Sequence, residues 1–271
     1  MIADRLLTRL VQFPEFRWLW SRFPFGSVDT LVRYGIWSRP HYAYGVYSAA
    51  QLAKRLDLAG ISVVEFGVAG GRGLLALERI AGQVAKRFSL AISVYGFDTG
   101  GGMPEPVDYR DVQHVWGKGF YEMDQEKLRR ELSSAELILG EVGQTLLSFR
   151  ERPGVFPVGF VAFDLDYYSS TKNALRLFDS NNHLPRVYCY FDDIVFPEIA
   201  CHNEYIGELC AIREFNLEHT DKKLCQLHLL RHVRANQERW NDQIYVLHDF
   251  QHSLYPVNIA PWRDRAPQYP I

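Results

Sequence analysis

From Ile61 onward the chain alternates short apolar runs with stretches in which apolar residues recur every three or four positions. The apolar runs read as strands at 61–66, 92–98, 135–139, 158–165, 186–192, 226–232 and 243–249. Helical spacing fills 71–87, 123–132, 143–150, 170–179 and 203–218. A run such as Ile61–Phe66, mostly apolar and rich in β-branched residues, is the pattern of a strand covered on both faces. Strand–helix alternation predicts an α/β fold: a doubly wound, seven-stranded, mostly parallel, Rossmann-like sheet. No helical pattern separates the last two runs, so the turn Gln237–Asp242 predicts an antiparallel hairpin. Residues 1–60 read as an N-terminal helical cap, with Leu6, Leu7, Leu10 and Val11 on one helical face. The aromatic stretch Arg39–Tyr47 opens a helix running to about Leu58, and its tyrosines are expected to pack the cap onto the sheet or to close over a ligand.

The first strand delivers Glu65 and runs into Gly67-Val68-Ala69-Gly70-Gly71-Arg72-Gly73 before the next helix. Such glycines let the backbone turn sharply and let a ligand approach main-chain N–H groups at a helix N-terminus. Two nucleotide-type ligands compete for this turn. Gly71–Ala76 fits the dinucleotide fingerprint G-x-G-x-x-G/A, which would make the chain an NAD(P)-dependent oxidoreductase. The longer pattern, acid-x-Gly-x-x-Gly-Gly-x-Gly, resembles motif I of class I S-adenosyl-L-methionine (SAM) methyltransferases. The second strand ends on Asp98, where an acid typically accepts ribose hydroxyls; the alternative is that Asp98 caps the turn continuing through Thr99 to Gly102.

The fourth and fifth strands each end on a pair of acids, Asp164 with Asp166 and Asp192 with Asp193. The i, i+2 spacing of the first pair predicts two carboxylates on one side of a strand. Four converging carboxylates would repel and raise one another's pKa. A hard divalent cation resolves that conflict, and all-oxygen ligation points to Mg²⁺, with Mn²⁺ or Ca²⁺ as alternatives, rather than Zn²⁺. Helix capping by Asp166 and Asp193 would explain only part of the cluster.

Together these segments, Glu-Phe-Gly-Val-Ala-Gly-Gly, Gly-Phe-Asp-Thr with Met-Pro beyond it, Asp-Leu-Asp-Tyr-Tyr-Ser-Ser-Thr-Lys-Asn-Ala-Leu and Phe-Asp-Asp, resemble the macrocin O-methyltransferase (TylF-like) family over roughly 61–216. The resemblance extends to Gly207-Glu208 and Ala211–Phe215, and departs from the family at Gln144 and at Asn181–Pro185. It implies a SAM- and Mg²⁺-dependent O-methyltransferase domain at 61–271, acting on a hydroxyl of a small molecule, a sugar or other natural product. By position, the metal ligands fall on Asp164, Asp192 and Asp193, and the general base on Asp166, with His202 a second base candidate. Cofactor contacts fall on Glu65, Gly67, Val68, Gly71 and Gly73, then on Asp98, Thr99, Gly140 and Asp164. A SAM-binding protein without catalysis is the further alternative, against which the intact acids argue.

Composition narrows the partners. The 271 residues carry 30 basic and 32 acidic side chains, a net charge of −2 that gives no nucleic-acid footprint. No apolar run approaches the ~20 residues of a membrane span, and Met1–Trp20 is not a signal peptide. Cys189, Cys201, Cys210 and Cys225 lack metal-finger spacing and read as free thiols of a cytoplasmic protein, with Cys189, Cys210 and Cys225 in apolar surroundings. Segments 102–122 and 196–206, with aromatics at Tyr109, His114, Trp116, Phe120 and Tyr121, are expected to line the acceptor pocket. Trp18, Trp20 and Phe23 offer a surface for a second copy of the chain.

Overall fold

The computed structural model describes residues 2–260; the last part of the expected 61–271 domain, 261–271, lies outside the described residues. The N-terminal helices are α1 (Ile2–Leu10), α2 (Pro14–Arg22), α3 (Val28–Tyr34) and α4 (Pro40–Arg55). Strands and helices then alternate as β1 (Gly60–Phe66), α5 (Arg72–Phe88), β2 (Ala91–Asp98), α6 (Gln125–Glu131), β3 (Glu136–Leu139), α7 (Val142–Arg150), β4 (Val158–Phe163) and α8 (Tyr168–Leu175). The chain continues as β5 (His183–Phe191), α9 (Gly207–Glu218), β6 (Lys222–Gln226), α10 (Leu230–Val233) and β7 (Ile244–Asp249). The seven strands lie in the order β3-β2-β1-β4-β5-β7-β6. All pairings are parallel except those of β7, which runs antiparallel to both β5 and β6. The expected α/β sheet is therefore present. The β1 and β4 side chains are buried throughout because helices cover both faces.

The chain begins with two packing units. Val11, Trp20, Leu31, Tyr34 and Ile36 form a small core of their own beneath α1–α3. Leu7 packs against it, but Leu6 stays exposed, because a step of 100° per residue carries it to the edge of the apolar stripe. Trp20 is interior to this unit, its indole N–H donating to the Phe25 carbonyl at 2.9 Å, so of the expected aromatic surface only Trp18 and Phe23 face outward. Helix α4 belongs to the sheet instead. It touches β1, β4, β5 and α5 through small residues, Ala43, Ala49, Ala50 and Ala53, each fully buried. Gly45 sits so close to β4 that a Cβ there would stand 2.2 Å from the Phe160 ring.

The sixth strand departs from the periodic reading. It occupies Lys222–Gln226, and the Leu-rich stretch that follows is a single helical turn whose Leu230 is buried. The signal was masked because β6 is an edge strand whose lysines find backbone acceptors: Lys222 Nζ, buried, donates to the distant Phe178 carbonyl at 2.7 Å, and Lys223 to carbonyls at the end of α9. β6 and β7 do pair as expected, but a helical turn and a 3₁₀ turn at Arg239–Asp242 separate them, so the connection is not tight. Cys189 and Cys210 are buried free thiols, whereas Cys225 on this edge strand is exposed with Cys201, contrary to the apolar setting expected for it. Among the described residues no helix is long and apolar enough to cross a membrane.

The Gly45–Phe160 contact makes a prediction. A methyl group at Gly45 has nowhere to go, so Gly45→Ala should lower unfolding free energy by about 1–3 kcal/mol, the cost of overpacking a tight core. Urea denaturation of the variant beside wild type measures it; an unchanged midpoint would mean that α4 is not seated as described.

Candidate active site

Parallel strands present their carboxyl ends to one edge of the sheet, and ligands bind there. At that edge a cavity of about 470 Å³ is lined from β1 and its turn by Glu65, Phe66, Gly67, Val68, Ala69, Gly70 and Gly73. Asp98, Thr99, Gly140, Asp164, Asp166, Asp192 and Asp193 line its other walls. Its volume suits a small-molecule ligand.

The glycines divide the work of the turn between them. Gly67 has φ +86°, and a Cβ there would lie 1.7 Å from the Asp164 carbonyl oxygen. Bulk at Gly67 thus collides with the protein's own backbone, so its role is the close approach of β1 to the loop after β4 rather than ligand clearance as such. Gly73 is dictated by Glu65, whose Oε1 would stand 1.8 Å from an added Cβ. Gly71, with φ +81°, faces Leu128 of α6 and is not among the cavity-lining residues. Gly70 is the glycine with open space before it.

Glu65 is buried at the end of β1. The Tyr42 hydroxyl, fully buried on α4, donates to its Oε1 at 2.6 Å, while Oε2 is buried with no partner. Burial pushes the Glu65 carboxyl up to about 7, the Tyr42 bond opposing the rise. Tyr42 therefore packs α4 and also holds the acid beneath the turn; it does not close over the cavity as a lid.

Asp98 is engaged by the backbone. Its Oδ2 accepts the N–H groups of Val68 and Ala69, each at 2.9 Å, and its Oδ1 accepts that of Gly100 at 2.6 Å. The carboxylate thus caps the following turn and also ties the glycine turn to β2. Thr99 is likewise committed locally, donating to the Gly102 carbonyl at 2.6 Å.

Asp164, Asp192 and Asp193 each bring a carboxylate oxygen within 4.8 Å of the others. β4 ends at Phe163, so Asp164 and Asp166 leave the sheet in a loop rather than sharing a strand face, and Asp166 adopts φ +57°. Asp166 does not cap α8; its own N–H donates to Asp193 Oδ2 at 3.0 Å. Burial, then Asp192, Glu65 and Asp166, hold the Asp164 carboxyl well above its ordinary range. Burial, Asp166 and Glu208 do the same to Asp193. Asp166 is raised to about 6, chiefly by burial. This donor set, oxygen-only and mutually repelling, fits a hard divalent cation.

Glu208, overlooked as a site residue although it stands in a quoted motif, supports the cluster from behind. It is fully buried in the first turn of α9, and its Oε2 accepts the Asp193 N–H at 3.1 Å. Arg39 was also overlooked: it lines the cavity from the start of α4, next to Pro40. His202 is not among the lining residues. Its Nε2 pairs with the Phe196 carbonyl at 3.3 Å, and burial lowers its pKa, so it closes the loop after β5 on itself.

Two loops wall the remaining side. Met103, Trp116, Phe120 and Tyr121 come from one, Phe196 and Pro197 from the other. Burial and the facing acids Asp166 and Asp193 push the Tyr121 hydroxyl up to about 12. Tyr109 points to solvent and His114 lies outside the lining. The first loop is pinned by Asp111, which accepts the Ser169 N–H at 2.8 Å, and by Arg110, which donates to the Tyr168 hydroxyl at 2.8 Å and to Glu214 at 3.1 Å.

No family model and no curated protein matches this chain. Its fold is similar to the crystal structure of CalS11, a calicheamicin methyltransferase, with 22% identity and a TM-score of 0.52 over 75% of this chain and 77% of that one. It is also similar to the structure of the O-methyltransferase NovP, at 12% identity and a TM-score of 0.51 over 78% of this chain and 81% of that one. The sheet is thus the Rossmann-like sheet of such methyltransferases.

The unequal roles of the glycines are testable. Gly67→Ala and Gly73→Ala should each cost at least about 1–3 kcal/mol, through backbone strain or overpacking. Gly70→Ala should leave thermal unfolding unchanged. Equal melting temperatures for all three would remove this division of labour.

Proposed function

We propose that this chain is a SAM-dependent, Mg²⁺-dependent O-methyltransferase acting on a hydroxyl of a small molecule, a sugar or another natural-product acceptor. The observation that carries the reading is the clustering of Asp164, Asp192 and Asp193 within 4.8 Å, in the same cavity as the glycine turn. The sheet shared with CalS11 and NovP, each named a methyltransferase, supports it. The TylF-like motifs over 61–216 support the finer family reading and a natural-product role, and the four free thiols support a cytoplasmic setting.

The SAM sulfonium supplies a methyl group that is already activated, and a divalent cation supplies charge that lowers a hydroxyl's pKa. The protein's own residues do the rest. Glu65 and the open side of the turn at Gly70 would hold the donor, and Asp98, which fixes that turn, would accept the ribose hydroxyls on the lone pairs its three backbone bonds leave. Asp164, Asp192 and Asp193 would hold the cation. Asp166, seated beside Asp193 by its backbone bond, takes the proton from the acceptor hydroxyl. The two aromatic loops would exclude water and orient the acceptor hydroxyl beside Asp166.

Asp164→Ala, Asp192→Ala and Asp193→Ala should each lose Mg²⁺ affinity in calorimetry while SAM affinity persists. Asp166→Asn should keep Mg²⁺ binding and lose roughly 10²–10⁴-fold in turnover. The assay follows labelled methyl from SAM into a panel of sugars and phenols, with EDTA and then with Mg²⁺ restored. Turnover indifferent to the chelator would sink the metal; stabilisation by NAD or NADP instead of SAM would sink the methyltransferase reading.

A further inference from the structure

Arg39 is placed as a ligand-binding residue and has no ligand in the protein itself. It stands at the N-cap of α4, where Pro40 fixes the first helical residue, and it lines the cavity with Glu65, Asp164 and Asp192. Its guanidinium carbon lies 5.1 Å from the centroid of the Tyr42 ring. Its carbonyl accepts the Ala43 N–H at 3.1 Å, but its guanidinium makes no hydrogen bond and no ion pair to the described residues. A half-buried guanidinium with all five donors uncommitted is costly unless something arrives to accept them.

A second residue with an unsatisfied group lines the same cavity. Glu65 Oε2 is buried without a partner, while Oε1 is held by the Tyr42 hydroxyl. Tyr42 thereby sets both groups: its ring lies beneath Arg39 and its oxygen anchors Glu65. The two are not joined to each other in an ion pair, so the cavity wall presents a carboxyl and a guanidinium as separate groups. An α-amino-acid end, with an ammonium and a carboxylate on one carbon, complements that arrangement. A nucleotide pyrophosphate does not, because Glu65 would repel it.

We infer that Arg39 is the residue that holds the α-carboxylate of the methyl donor, opposite Glu65, which takes the α-ammonium. The inference rests on the SAM reading above and deepens it: the helix preceding the sheet supplies half of the donor's amino-acid subsite. Guanidinium and carboxylate match as a two-bond fork, which a lysine reproduces only as a point charge. The site then grips the donor at two separated places, the amino-acid end at Arg39 and Glu65 and the nucleoside end beyond the glycine turn.

Calorimetry on the full chain tests it with three ligands: S-adenosylhomocysteine, decarboxylated S-adenosylhomocysteine and 5′-methylthioadenosine. The last lacks the whole amino-acid end. Wild type should bind S-adenosylhomocysteine more tightly than its decarboxylated form, from which it differs only by the carboxylate, a comparison that needs no variant. Arg39→Met, which keeps an apolar stem over Tyr42, should bind S-adenosylhomocysteine roughly 10- to 100-fold more weakly and methylthioadenosine unchanged. Arg39→Lys should recover part of the loss. S-adenosylhomocysteine affinity within twofold of wild type in Arg39→Met would overturn the assignment and leave the methyltransferase reading standing. A parallel loss for methylthioadenosine would reduce Arg39 to a structural role and overturn it equally. Wild type that binds none of the three would remove both the assignment and the reading beneath it.

Discussion

Negative charge collected at one edge of a parallel sheet is the constraint around which this protein is arranged. β1, β2, β4 and β5 each deliver an acid at or just past the carboxyl end, and Asp166, Asp193 and Glu208 crowd in behind them. Low dielectric makes every unpaired carboxylate there expensive. The fold answers differently at each position. Asp98 is satisfied by three backbone N–H groups. Glu65 is half satisfied by Tyr42, and the Asp164–Asp192–Asp193 group keeps its repulsion. That cluster is not bare, since Asp192 accepts the Tyr190 hydroxyl and Asp193 the Asp166 N–H; what it leaves open to a ligand is the Asp164 carboxylate and the remaining lone pairs of its neighbours.

Much of this was legible in the sequence, and the reason is periodicity. Buried parallel strands with a two-faced cover leave long apolar runs, so β1, β2, β4 and the strand-end acids could be placed to within a residue or two. Edge elements leave weaker marks. β6 exposes one side and carries lysines whose backbone acceptors lie on other elements, so its pattern dissolved into the Leu-rich stretch beyond it. The roles of individual glycines were not legible either. Gly67, Gly70, Gly71 and Gly73 look alike as letters, yet one faces a carbonyl, one open space, one Leu128 and one Glu65. Such differences depend on what other segments bring, which local spacing does not encode.

The same holds for residues that reach the site from a distance. Arg39 precedes the sheet, and nothing in its neighbourhood marks it as different from other arginines before a proline. Glu208 lies in a helix after the last acid pair, and its value comes from a single bond to the Asp193 N–H. Both were reachable only through three-dimensional juxtaposition. His202 is the reverse case: a base by residue type, turned aside because its loop folds back on the Phe196 carbonyl.

The seat of α4 has a consequence for the order in which the molecule can be assembled. The helix is made before any strand, yet the surface it needs, Phe160 on β4 and its neighbours on β5, leaves the ribosome much later. Until then Gly45 has no Phe160 ring to pack against and the helix has only α3, α5 and β1 beside it, and a helix of this length is marginal in water on its own. The seat of α4 is therefore complete only once β4 and β5 are in place, and a nascent chain stalled before β4 leaves part of this aromatic segment uncovered.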